Sequence, residues 1–240
     1  MRLMSRYVLR SLPQYIGEFL IIFLGITMSW WFDDWREEIE ERKQEAMHLR
    51  NLVYNLESDS TTFREELAFI QTSEKRLRYL SHALNGGDRD SIGYNLTSMI
   101  LIPEFHPNRS EFEAIKATGE IRLIKDPALV REIMSHYEVE YGRLESRVFF
   151  YQKAIMDYAW DFAMDNLDMS KAFNSRQQDN FRLNLDNSQE HFEMKNKITL
   201  CLLATKITRE RFQQSLERIT HLRRQINARL AVIDVAEEKD

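Results

Sequence analysis

The sequence is short of the residues that make turns and covalent staples. One cysteine, Cys201, stands among 240 residues, together with four prolines and seven glycines. A single thiol closes no internal disulfide. It suits the cytoplasm, and equally an envelope protein whose core needs no covalent link. Scarce Gly and Pro leave little material for the hairpins that join strands, whereas long helices do without them. The expected fold class is all-α. A surplus of positive charge is also missing: 33 Lys and Arg face 38 Asp and Glu, a net charge of −5. That balance argues against a general binder of nucleic acid, and no nucleic-acid partner is expected. The length allows one sizeable domain or two small ones.

Catalytic motifs are lacking too. There is no Gly-rich phosphate loop, no Cys pair and no HExxH. Glu45 and His48 form one isolated ExxH, whereas di-metal sites in helical bundles need two such motifs and further carboxylates. Glu132 with His136 and Glu217 with His221 are spaced i,i+4 and read as solvated helix surface. Arg218, Arg223, Arg224 and Arg229 make the last helix locally basic and read as an exposed face paired with acids. Nothing distinguishes one serine as a nucleophile. No metal, cofactor, catalytic residue or enzymatic activity is expected.

What is present, first, is a long apolar run. Residues 15–32 read YIGEFLIIFLGITMSWWF, with Glu18 as the one charge. At ~1.5 Å per residue this helix would be about 27 Å long, close to a hydrocarbon layer of roughly 30 Å. The run predicts a transmembrane helix over 15–32. Trp30, Trp31 and Trp35 fall where an interfacial aromatic belt would lie, and Asp33 and Asp34 end the run. Bulky Trp30-Trp31 replaces the small residues a signal peptidase needs. A buried core helix would not be apolar all round, as residues 19–28 are. Ahead of the run, residues 1–14 carry Arg2, Arg6 and Arg10 at intervals of four, one basic stripe on a helix. This segment either lies on an anionic leaflet or is a basic tail that sets orientation. Pro13 is expected to break or kink the chain there.

Two details inside the run bear on function. Glu18 is an ionisable group near its start: a site for helix pairing, ion coordination or proton transfer, or a residue at headgroup depth. Gly25 and Ser29 form a small-xxx-small pair that permits close helix approach.

From residue 33 onward helical periodicity takes over, and residues 33–236 are read as a bundle domain. Ala46, Leu49, Val53, Leu56, Phe63, Leu67, Ile70, Leu77 and Leu84 form a heptad-like seam with Ser60, Glu74 and Ser81 at its gaps. No breaker separates this seam from the apolar run, so the first helix is expected to continue from one into the other. Asn85-Gly86-Gly87 ends it. An irregular insert follows at about 85–125, in which Ser110 is placed as an N-cap with Glu113 at the capping-box position. Asp126-Pro127 opens a second long helix. Its seam is Val130, Ile133, Tyr137, Tyr141, Leu144, Val148, Tyr151, Ile155, Tyr158 and Phe162. Its aromatics exceed what one seam hides, so Phe149, Phe150 and Trp160 are candidates for an oligomer interface. A polar loop is expected at about 166–187, then a third long helix from Ser188 and an acidic tail at 237–240. The predicted architecture is an N-terminal transmembrane helix continuing into an elongated antiparallel bundle with three long helices.

Two blocks resemble a known family. The start, with Gly17-Glu18, an aliphatic run through Gly25 and a Trp- and acid-rich exit at Trp35, is similar to that of a family of uncharacterised bacterial single-pass membrane proteins, known only as a domain of unknown function. Residues 112–137, FEAIKATGEIRLIKDPALVREIMSHY, resemble its second block: an aromatic, a turn at Gly119, an aliphatic pair, Asp126, and a helix ending in aromatics. Family members usually carry Asn-rich sequence after the span, and Trp30-Trp31-Phe32-Asp33 departs from that. The resemblance implies an anchored helical domain and no particular activity.

Three function classes remain. The first is a membrane-anchored helical interaction or structural module that self-associates as a homo-oligomer. The second is a bundle-type ligand sensor that works with another membrane protein. The third is an oligomeric membrane effector or ion-conducting assembly using Glu18. The expected setting is the bacterial inner membrane, lipid bilayer as partner, N-terminus in the cytoplasm and bundle on the periplasmic side; the Lys/Arg bias behind this orientation is slight.

Overall fold

A computed structural model describes residues 4–86, 92–97, 99, 102–166 and 188–237; side chains are described from residue 17 on, except at 97, 165, 166, 188, 190 and 237. Arg2 lies outside the described residues, as do the side chains of Arg6 and Arg10, residues 167–187 of the expected loop and residues 238–240 of the tail. The fold is all-helical, with no strand among the described residues. Helix α1 runs Met4–Leu84. It is followed by α2 (Ile92–Thr97), α3 (Ser110–Thr118) and a 3₁₀ turn at Glu120–Leu123. Next come α4 (Pro127–Met134), α5 (Tyr141–Ala154) and α6 (Asp161–Asn166), joined by π-helical turns at Ser135–Glu140 and Ile155–Trp160. The last helix, α7, is Ser188–Glu237. By contacts the chain divides into two compact units, Met1–His48 and Leu49–Asp240.

The first unit is helical from Met4 on. Pro13, where the sequence predicts a break, lies inside α1; a proline removes one intrahelical hydrogen bond, and the turns on either side supply the rest. From residue 18 to residue 38 every described side chain is exposed, whichever way it points around the helix. Among the described residues no helix is long and apolar enough to cross a membrane. The described side chains of the apolar run begin at Gly17, so its described part, residues 17–32, is about 24 Å long, short of the roughly 30 Å of a hydrocarbon layer. Asp33 and Asp34 close it. The transmembrane helix expected over 15–32 is therefore not supported by the described residues.

The second unit is built on three helical stretches. Residues 49–84 of α1 bury Leu49, Leu52, Leu56, Phe63, Ile70, Leu77, Leu80 and Leu84. Val53 and Leu67, assigned to this seam from the sequence, are half-buried, and Leu52 and Leu80 take inward places beside them. Gly86 has φ +95° just past the helix, a conformation that costs glycine nothing. The α4–α6 stretch buries Ile133, Tyr137, Tyr141, Leu144, Val148, Tyr151 and Ile155, as its spacing predicts. Asp126 caps it, accepting from the amides of Ala128 at 2.8 Å and Leu129 at 3.2 Å with Pro127 next in line. Such a cap is worth about 1 kcal/mol. Helix α3 starts one residue earlier than expected. Ser110 is its first helical residue, and its amide and hydroxyl both donate to Asn108 Oδ1, so the box with Glu113 does not form. Gly119 ends α3 at φ +76°.

The expected antiparallel arrangement is half right. Helix α7 runs against both other stretches. Its Asp234, Arg223 and Arg209 pair with Arg50, Glu57 and Glu74 of α1 in reverse order. Thr208 donates to the carbonyl of Arg147, and Cys201 to that of Ala154. The α4–α6 stretch, however, runs parallel to α1: Asp59 meets Tyr141 and Tyr151 lies level with Ser73. The insert makes this possible by carrying the chain back along α1. Gln152 donates to the carbonyl of Pro103, the Asn108 amide donates to Asp59 at 2.7 Å, and Asn51 reaches Glu111. A parallel return needs a long connection of this kind.

One end of the second unit holds a dry core in which Leu77, Leu80, Tyr151, Ile155, Ala159, Ile198 and Cys201 pack with Ile92 and Met99 of the insert. The Cys201 thiol sits wholly inside it, and burial pushes its pKa up to about 12.

Candidate functional site: a polar cluster at the first π turn

The turn at Ser135–Glu140 widens the helix by one residue, and the amide of Tyr141 bonds back to the carbonyl of His136, five residues away. The wider turn faces two adjacent pairs inward, His136 with Tyr137 and Glu140 with Tyr141, and all four are buried. Further along, α5 returns to single seam residues. Single π turns inside α-helices are often found at functional sites.

Each of the four meets different chemistry. Tyr137 stacks on Phe112, ring centroids 4.7 Å apart, and its hydroxyl has no hydrogen-bond partner among the described residues. Tyr141 donates to Asp59 inside an aromatic group of Phe63, Phe105 and Phe212. Burial raises the Asp59 carboxyl above its ordinary range, opposed by the bonds from Asn108 and Tyr141 and by the Arg109 charge. Burial raises the Tyr141 phenol as well, helped by the charge of Asp59. His136 packs edge-on to Tyr141 with ring centroids 4.4 Å apart, and its Nε2 has no partner among the described residues. Burial first, and the positive charge of Arg218 second, push its pKa down to about 4. This imidazole is therefore neutral at ordinary pH.

Glu140 is the electrostatic centre. It is 4% exposed, and three guanidinium groups converge on it. Arg211 lies 2.6 Å from one oxygen, and Arg143 and Arg218 lie 3.0 and 3.3 Å from the other. A lone buried carboxylate would cost several kcal/mol, and partners of this kind offset that cost. Arg211 also donates to Gln214 at 2.9 Å, which fixes its plane. Beside this group α5 and α7 leave a broad cleft of about 750 Å³, lined among others by Val139, Gly142, Arg143, Arg147, Ile207 and Arg211.

The sequence-derived candidates are spread over other parts of the chain. Glu18, Gly25 and Ser29 are exposed on α1, as are Trp30, Trp31 and Trp35. Phe149 is 66% exposed on α5, whereas Phe150 is half-buried. Trp160 is half-buried against the dry core. His136, read from its spacing as solvated surface, is buried instead, because the wide turn faces it inward, and Glu45 and His48 of the isolated ExxH are buried too. Glu132, Glu217 and His221 are exposed as expected. No group of His, Cys, Asp and Glu able to hold a metal occurs among the described residues. Within the last helix's basic series, Arg218 pairs with Glu140 and Arg223 with Glu57.

Glu140, Arg143 and Arg211 are absent from the sequence-derived candidates, and Arg218 is there only as part of an exposed basic face. A usable signal was there: Arg211 and Arg218 are seven residues apart, each just before a seam residue, Phe212 and Ile219. Two cations one heptad apart beside a buried seam face the same neighbouring helix. Comparison with family models, curated proteins and solved structures gives no match to this chain.

Proposed function

We propose that this chain is a membrane-anchored helical interaction module that self-associates, with residues 15–32 in the bilayer of a bacterial inner membrane and the three-helix bundle on the periplasmic side. The observation that carries this reading is the exposure of residues 19–32 all round α1. Ile21 is 73% exposed and Ile26 66%, with Trp30, Trp31 and Trp35 following. An apolar surface that closes around a helix wants an apolar solvent, and a bilayer with an aromatic belt at its edge is one. Tyr15 and Ile16, whose side chains are not among those described, extend the run to about 27 Å. The family resemblance carries the same expectation. Exposed Gly25 and Ser29, and exposed Phe149, are the surfaces offered for self-association.

Fractionation of expressing cells tests the anchor. The native chain is expected to stay with membranes through alkaline carbonate extraction, and a chain with Ile21→Arg and Leu24→Arg is expected in the supernatant. Release of the native chain by carbonate sinks the reading. Crosslinking through cysteines placed along residues 17–32 tests association: no dimer from any position removes self-association through this helix.

A second reading, a sensor that works with a partner, is favoured by the cleft beside the π turn and by His136 Nε2 and the Tyr137 hydroxyl in that turn, which have no hydrogen-bond partner among the described residues.

A further inference from the structure

We propose that the cleft beside the first π turn binds a small organic anion, a carboxylate or a phosphate ester, with Arg143 and Arg147 as its primary holders. This deepens the sensor reading by naming its ligand chemistry, and it stands independently of the membrane anchor.

Charge is the first reason. Arg143, Arg147 and Arg211 line the cleft. Of the acids there, Glu138 is held by Lys116 at 2.6 Å, and Glu210 offsets one cation. Beneath the lining, Glu140 is shared among three guanidinium groups. Positive charge therefore remains in surplus. Arg143 and Arg147 are one helical turn apart on the same face of α5, a spacing that lets two guanidiniums grip one anion. Arg143 keeps donors to spare, since one of its nitrogens is on Glu140 and its side chain is 60% exposed. Arg211 is held still by Glu140 and Gln214, so the wall behind the anion is ordered before anything binds.

The second reason is Gly142. It lies inside α5, where glycine weakens a helix relative to alanine. Its φ is not positive, and a Cβ added to it would meet nothing within 4 Å. Neither the backbone nor the packing of this chain asks for glycine there. Its effect is to leave the cleft wall open between Arg143 and the π turn.

The third reason concerns the carbon part of the ligand. Val139, 43% exposed, and half-buried Ile207 give the cleft an apolar wall. Its volume of about 750 Å³ falls in the range of small-molecule sites. An inorganic ion would use the arginines and leave that wall wet.

Titration calorimetry on the full chain in non-ionic detergent tests this, with benzoate, phenyl phosphate and inorganic phosphate as probes at matched ionic strength. Saturable binding of benzoate or phenyl phosphate is expected, stronger than that of inorganic phosphate. Arg147→Gln is expected to weaken it about tenfold, as loss of a charge-assisted contact does. Gly142→Leu is expected to weaken it by narrowing the cleft beside Arg143, with melting of the unliganded chain unchanged or raised. If Gly142→Leu does not fold, Gly142→Ser with Arg147→Gln decides. The proposal is overturned if no probe saturates, if inorganic phosphate binds as tightly as both organic anions, or if Arg147→Gln binds like the native chain. Membrane fractionation of the same variants reads the anchor separately, so the two failures are distinguishable.

Discussion

Two stretches of one helix, residues 17–35 and residues 49–84, share a backbone and differ in what their apolar side chains meet. In the first, Phe19, Ile22, Phe23 and Ile26 are all more than half exposed. In the second, Leu49, Leu52, Leu56, Phe63, Ile70, Leu77, Leu80 and Leu84 recur at steps of three, four and seven and are at most 1% exposed. The contrast separates two uses of hydrophobicity. A stripe with helical period specifies a neighbouring helix, because one face alone has to be covered. A sleeve with no period specifies a medium, because every face does.

Substitutions put that contrast to the test. The largest effect is expected from removing one ring in each stretch. Phe63→Ala opens a cavity in the aromatic group with Tyr141 and Phe212 and should cost the second unit about 3–5 kcal/mol. Phe23→Ala, on the same helix, should leave its unfolding unchanged within about 0.5 kcal/mol. Denaturant unfolding of the two variants measures the difference, and equal losses would erase the distinction.

Acid comes next. Because the pKa of His136 is lowered from 6.5 to about 4 in the folded chain, the unfolded chain binds the extra proton first as pH falls. Stability from this group is full above pH 6.5 and is lost on the way down to pH 4, by about 3 kcal/mol. His136→Phe should flatten that part of the stability curve. Asp59, with its raised carboxyl, works in the opposite sense: its penalty in the folded state is relieved as it protonates. An Asp59→Asn background should therefore steepen the loss on acidification.

Smaller effects follow at the helix ends and the cleft. Asp126→Ala leaves the amides of Ala128 and Leu129 without their acceptor and should cost about 1 kcal/mol, measured as a fall in melting temperature. Gly142→Ala should raise stability by up to about 1 kcal/mol, since nothing crowds the new methyl group. Smallest of all, Arg50→Gln removes an ion pair with Asp234 in which both side chains are more than half exposed. Melting should shift by less than the scatter between preparations, as exposed pairs contribute little.

The all-helical class, the seams and the Asp126-Pro127 start were legible because each is written locally, in composition, period or a cap. The parallel course of α1 and the α4–α6 stretch was not. It depends on where the insert lands, and that is settled by single distant pairs such as Asn108 with Asp59, which leave no periodic trace. Ser110 misled for a related reason: Asn108 two residues earlier competes for the same amide. His136 was not legible as a buried residue because polarity in a helical pattern implies exposure, whereas the wide turn faces it inward with Tyr137. At the candidate site, Arg218 was visible as part of a basic helix, but its acceptor Glu140 lies 78 residues back in the chain.

The lone cysteine gives the molecule a built-in clock. Cys201 is enclosed by the dry core, and its thiol ionises only far above neutral pH. A thiol reagent can therefore act on the native chain only when that end of the bundle opens. The rate of labelling counts openings of the region where α1, the α5–α6 junction and α7 converge, with no second thiol to confuse the signal. Any ligand that tightens the bundle should slow that rate in proportion to the openings it prevents.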